Sequence, residues 1–145
     1  MVQRRRSAAA AAINADCQVK EETAVSKRIL IIEDQEDNRK IMHDVLSASG
    51  FNSLEATTGE EGLALAEREK PDLILMDIQL PEMDGYEVTR RIKGNPALNH
   101  IPIIAVTSYA LSGDDKKAYA AGCDGYLTKP VSPRKLLAKI KEYLR

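Results

Sequence analysis

Three runs of four apolar residues each stop against a polar group, and this pattern restricts the chain to few folds. Ile29-Leu30-Ile31-Ile32 ends at Glu33-Asp34, Leu73-Ile74-Leu75-Met76 at Asp77, and Ile103-Ile104-Ala105-Val106 at Thr107. Continuous apolar runs of this length, rich in β-branched residues, read as strands buried on both faces of a sheet. A buried strand has no use for a charge at its end unless a partner or a task holds it there.

The segments between these runs have helical spacing. Residues 37–49 carry Ile41, Val45 and Leu46 and stop at Gly50, a residue suited to ending a helix. Residues 51–56 read as a weaker, outer strand, and 58–69 as a helix with Leu63 and Ala66 inward, ended by Pro71. Residues 86–93 place Val88 and Ile92 on one face; 112–121 open with Ser112 and Asp114 as N-terminal acceptors. A short strand at 125–128 precedes a last helix, 132–144, with Leu136, Leu137, Ile140 and Leu144 in one stripe. Five strands alternating with five helices give an α/β fold, a doubly wound parallel sheet covered on both faces. Such sheets bind ligands beyond the carboxyl ends of their strands, at the switch point. Glu33, Asp34, Asp77, Thr107 and Lys129 all stand at such ends.

Composition narrows the function. A chain of 145 residues suits one domain. Its net charge of −1 argues against a general nucleic-acid binder. Aromatics at 4% and the lack of Trp argue against base-stacking platforms. Cys17 and Cys123 form no C-x-x-C pair and read as reduced thiols, with Cys123 a small buried residue. No run approaches the roughly 20 apolar residues that span a bilayer. Residues 1–26 read as a tail, disordered or forming a short helix over Ala8–Ala12. Three arginines before the alanines imitate an export signal, but alanine is weakly hydrophobic and Asp16 precedes the cysteine. A cytoplasmic location is expected.

Carboxylates converging at one sheet edge repel, and either protonation or a divalent cation relieves them. With no His or Cys nearby, the set suits a hard ion, and Mg²⁺ fits best because it takes few protein ligands plus a phosphate oxygen. Lys129 adds a fixed positive charge and Thr107 a hydroxyl donor. Together these groups describe a phosphoryl site in which an ionised Asp77 acts as nucleophile without a general base.

Ile31-Ile32-Glu33-Asp34, Leu75-Met76-Asp77-Ile78-Gln79-Leu80-Pro81-Glu82-Met83-Asp84-Gly85, Ala105-Val106-Thr107-Ser108 and Tyr126-Leu127-Thr128-Lys129-Pro130 resemble the receiver domain of two-component response regulators. The resemblance covers about Lys27 to Arg145 and is closest to stand-alone receivers of the DivK type. It implies a flavodoxin-like strand order of 2-1-3-4-5. It also implies that Asp77 takes phosphate from a histidine kinase or phosphotransfer protein. Asp34 would bind Mg²⁺ directly, Glu33 largely through water, and the Gln79 carbonyl would be a further ligand. Lys129 would pair with Asp77 and then the phosphoryl group, next to a cis Lys129-Pro130 bond. Thr107 would move toward the phosphoryl oxygens and Tyr126 would swing in behind it. With no second domain after Leu144, output would pass through another protein, without direct DNA binding or membrane insertion. The chain would otherwise serve as a phosphate shuttle in a relay, and would be a monomer or weak homodimer.

Plainer roles are also available to these residues. Asp34 can cap the first helix, Tyr126 can be a core residue with its hydroxyl out, and His43 and His100 read as surface residues. A dehalogenase-type hydrolase would need an acid two residues after the nucleophile, where this chain has Gln79. Tyr109, two residues after Thr107, is expected to slow loss of the phosphoryl group relative to a Tyr109→Ala variant.

Overall fold

The structure is a computed structural model and describes residues 27–108 and 114–144. Cys17, the alanine run, Tyr109 and Ser112 lie outside the described residues, as does the side chain of Asp114. The elements follow the chain as β1 (Arg28–Ile32), α1 (Glu36–Ala48), β2 (Asn52–Ala56), α2 (Gly59–Glu69), β3 (Leu73–Asp77), α3 (Gly85–Lys93), β4 (Ile103–Thr107), α4 (Asp114–Ala121), β5 (Gly125–Thr128) and α5 (Pro133–Tyr143). Among the described residues the four strand pairings are all parallel, in the order β2-β1-β3-β4-β5. From β1 the chain steps outward to β2 and then returns past β1 to β3. The carboxyl ends of β1 and β3 therefore flank the switch point, the expected place for a ligand.

Alternation along the strands builds two cores. Leu30, Ile32, Ile74, Met76, Ile103 and Ala105 face α2, α3 and α4, where they meet Ala66, Val88, Ile92 and Ala118. Ile29, Ile31, Leu73, Leu75 and Ile104 face α1 and α5, where they meet Met42, Leu46, Leu136 and Ile140. Each fully buried Leu or Ile contributes roughly 1.5–3 kcal/mol of transfer free energy, so the central strands carry much of the stability.

The helix boundaries are set by local chemistry. Thr58 caps α2, accepting from the Glu61 N–H, while Glu61 reaches back to the Thr57 N–H, a variant of the reciprocal capping box. Asp84 caps α3 and Ser132 caps α5. Gly50, at φ 86°, ends the first helix in the left-handed conformation that glycine adopts freely. Two expectations change. The inward residue of α1 is Met42 rather than Ile41, which is 51% exposed, because the helical stripe lies one position further on. Asp34 does not cap α1; Gln35 holds that position and makes no side-chain cap bond.

Candidate functional site

The site grows from four strand ends. Ile32 is the last residue of β1, and Glu33 and Asp34 follow it in the turn to α1. Asp77 is the last residue of β3 and Thr107 the last of β4. Lys129 follows β5 directly, and its N–H donates to the Thr107 carbonyl at 2.8 Å. Parallel register brings these ends to one edge, since Asp77 lies opposite Val106 and Thr107 opposite Thr128.

Glu33, Asp34 and Asp77 each offer a carboxylate oxygen, and these oxygens all lie within 4.8 Å of one another. Glu33 is fully buried and Asp77 nearly so, at 2% exposure. Lys129 is shared between them: its Nζ lies 2.8 Å from Glu33 Oε1 and 3.4 Å from Asp77 Oδ1. The shorter pairing is thus with Glu33, not with the expected Asp77. Glu33 Oε2 accepts from the Gln35 N–H at 3.0 Å. Among the described residues, Glu33 Oε1 meets the Lys129 ammonium at ion-pair distance and has no other hydrogen-bond partner.

The charge balance explains the acidity of Asp77. Burial pushes its carboxyl up from the ordinary aspartate range, and the neighbouring Glu33 pushes it further in the same direction. The N–H of Gln79, which donates to Asp77 Oδ1 at 3.1 Å, and the charge of Lys129 act the other way and are outweighed. Asp77 is therefore less acidic than an ordinary, freely ionised aspartate, the state assumed for it from the sequence. Three clustered carboxylates beside a single ammonium, offering only oxygen donors, fit a hard divalent ion, and the residues suit Mg²⁺.

Thr107 is buried at 3% exposure. Tyr126 is half-buried, lies opposite Ala105 and packs against the core between the sheet and α2–α4. The Lys129-Pro130 peptide is cis, as the resemblance implied. His43 is more engaged than a plain surface residue, with Nδ1 2.7 Å from Ser53 Oγ and 3.2 Å from Glu55 Oε2.

Residues 29–141 match the family model described as the response regulator receiver domain. The chain belongs to this family. Among curated proteins it is 45% identical over 120 residues to the polar-differentiation response regulator DivK of Brucella ovis, an alignment covering 83% of this chain and 98% of that one. The DivK of Brucella anthropi is 46% identical over 118 residues, covering 81% and 96%. Among solved structures, a CheY-like response regulator receiver domain protein from Methanospirillum hungatei superposes with a TM-score of 0.77 at 38% identity, covering 83% of this chain and 94% of that one. The receiver domain of a Pseudomonas aeruginosa sensor histidine kinase also gives 0.77, at 33% identity and 83% and 98% coverage. That structure holds a magnesium ion coordinated in its active-site cleft. This receiver thus shares its fold and family with DivK-like regulators, a class of signalling proteins rather than metabolic enzymes. No helix among its described residues is long and apolar enough to cross a membrane.

Two residues of the site escape a reading from sequence. Gly85 brings α3 back onto the strand end: its N–H donates to the Ile78 carbonyl, and a Cβ there would lie 2.5 Å from the Asp77 carbonyl oxygen. The Asp84-Gly85 pair was visible, but the contact it serves was not. Arg39, in the first turns of α1, reaches the Glu33 carbonyl; nothing in its local sequence distinguishes it from a surface arginine.

Proposed function

We propose that the chain is a phosphoryl-accepting response regulator that carries phosphate on Asp77. The observation that carries this reading is the gathering of the Glu33, Asp34 and Asp77 oxygens within 4.8 Å beside Lys129. Residues 27–145 are read as the receiver domain and 1–26 as a segment outside it. Asp34, Asp77 and the Gln79 carbonyl would hold Mg²⁺ directly, and Glu33 largely through water. The ion would neutralise charge on the phosphoryl oxygens.

Asp77 attacks the phosphorus of a phosphohistidine on a kinase or phosphotransfer protein. The P–N bond breaks and its electron pair returns to the ring nitrogen; the phosphoimidazole, protonated on its other nitrogen, leaves as neutral imidazole, and an acyl phosphate forms on Asp77. Lys129 then turns toward the new oxygens. The adduct adds about −1.5 to −2 charges and three acceptor oxygens. Thr107 satisfies one of them only by moving, and the space it leaves admits the ring of Tyr126. The surface that β5 and its flanking helices offer a downstream protein changes as a result. The test is intact-mass measurement after incubation with a small phosphoryl donor and Mg²⁺. The wild type should gain one phosphoryl mass and Asp77→Asn none; an equal gain in both places the acceptor elsewhere.

A further inference from the structure

We infer that Arg39 is a positioning residue for the metal-binding turn, acting through the main chain of Glu33. Glu33 is fully buried, so each of its backbone groups needs a partner. Its N–H donates to the Ala56 carbonyl at 3.0 Å, which ties it to the end of β2. Its carbonyl accepts from Arg39 Nη1 at 3.0 Å. The Arg39 Nε donates to Glu55 Oε1 at 3.1 Å, so one guanidinium joins β2 to the turn after β1. The planar fork of arginine holds two acceptors at fixed angles, which the single ammonium of lysine cannot do.

The turn so held is the one that supplies the acids. Glu33 Oε2 accepts from the Gln35 N–H, and the Gln35 carbonyl accepts from the Arg39 N–H at 2.9 Å. Arg39 therefore meets this turn twice, once through its backbone and once through its side chain. The ion pair with Glu55 is partly exposed, at 17% and 39% for the two side chains, and by itself contributes little. The bond to the buried carbonyl orients the peptide between Glu33 and Asp34, and with it the two carboxylates that flank Asp77. Glu55 has a second neighbour in His43, which approaches Oε2 and leaves Oε1 to Arg39.

Charge and position predict opposite outcomes, which makes the inference testable. Arg39 is a cation near an acidic cluster, so its removal by charge alone would tighten Mg²⁺ binding. Loss of a positioning contact behind metal ligands weakens binding, typically by tenfold or more. Mg²⁺ alone, titrated into the full chain and followed by calorimetry, should bind about tenfold more weakly to Arg39→Met. Arg39→Lys, whose ammonium can keep the bond to the Glu33 carbonyl but not both contacts at fixed angles, should fall between the two. Amide exchange at Gln35 should accelerate in Arg39→Met more than exchange in β3 does. Affinity that is unchanged or tighter in a folded Arg39→Met overturns the inference, as does failure of both variants to fold. The inference rests on the metal-dependent reading above. A wild type that never saturates with Mg²⁺ defeats that reading, whereas a saturating wild type matched by Arg39→Met defeats this inference alone.

Discussion

Replacing Asp77 by Asn should make the metal-free protein more stable, although it removes an ion pair. At an effective dielectric of about 20, Lys129 at 3.4 Å attracts the Asp77 carboxylate by about 5 kcal/mol. Glu33 and Asp34, within 4.8 Å, each repel it by about 3.5 kcal/mol on the same footing. The balance is about 2 kcal/mol unfavourable. Half-exposure of Asp34 trims that figure and the burial of Asp77 adds to it. Asparagine keeps the shape and an acceptor for the Gln79 N–H, and it leaves Lys129 wholly to Glu33. A gain of about 2 kcal/mol corresponds to roughly 8 °C in Tm for a domain of this size. The sign of the pH dependence follows from the raised pKa. Ionised Asp77 costs stability, so its favourable contribution is complete below the ordinary aspartate value of 3.8 and is lost as pH rises through the higher folded value. The gap between variant and wild type should be small in acid and open toward neutrality. Mg²⁺ at a hundred times its Kd should stabilise the wild type by about 2.7 kcal/mol and the variant by much less. The assay is urea unfolding with and without Mg²⁺ across this pH range. A variant no more stable than wild type at pH 7 without Mg²⁺ would refute the charge argument.

Other perturbations test the remaining parts. Lys129→Met leaves Glu33 and Asp77 buried without their cation and should cost about 3 kcal/mol in urea unfolding at pH 7 without Mg²⁺. Gly85→Ala places a methyl group 2.5 Å from the Asp77 carbonyl oxygen and 2.7 Å from the Ile78 Cα. It should destabilise by about 2 kcal/mol in the same assay, since backbone rather than a flexible side chain must give way. Thr107→Ala should still accept phosphate by intact mass but lose the response at Tyr126, measured as the change in that residue's amide chemical shifts on phosphorylation. Full retention of that change would remove Thr107 from the switch.

Fold class and the location of the site were legible along the chain because both rest on short-range patterns. Continuous apolar runs marked β1, β3 and β4, and the acids and hydroxyl that end them marked the candidate binding edge. Ile41 was misplaced because α1 carries apolar residues at neighbouring positions, and only packing on the sheet selects Met42. Lys129 was rightly brought to the acids, but its closer contact with Glu33 follows from the relative depth of the two carboxylates, which no spacing encodes.

What the sequence determined by itself was therefore the inventory and its order: five strand–helix repeats with acids, a hydroxyl and an ammonium at successive strand ends. Periodicity is local, so it can be read along the chain alone. The tertiary structure alone decided which oxygen Lys129 approaches, why Asp77 resists ionisation, why residue 85 is glycine, and that Arg39 grips the Glu33 carbonyl. Each depends on groups many residues apart meeting where little water remains to screen them, and at that range electrostatics and close packing set the energies.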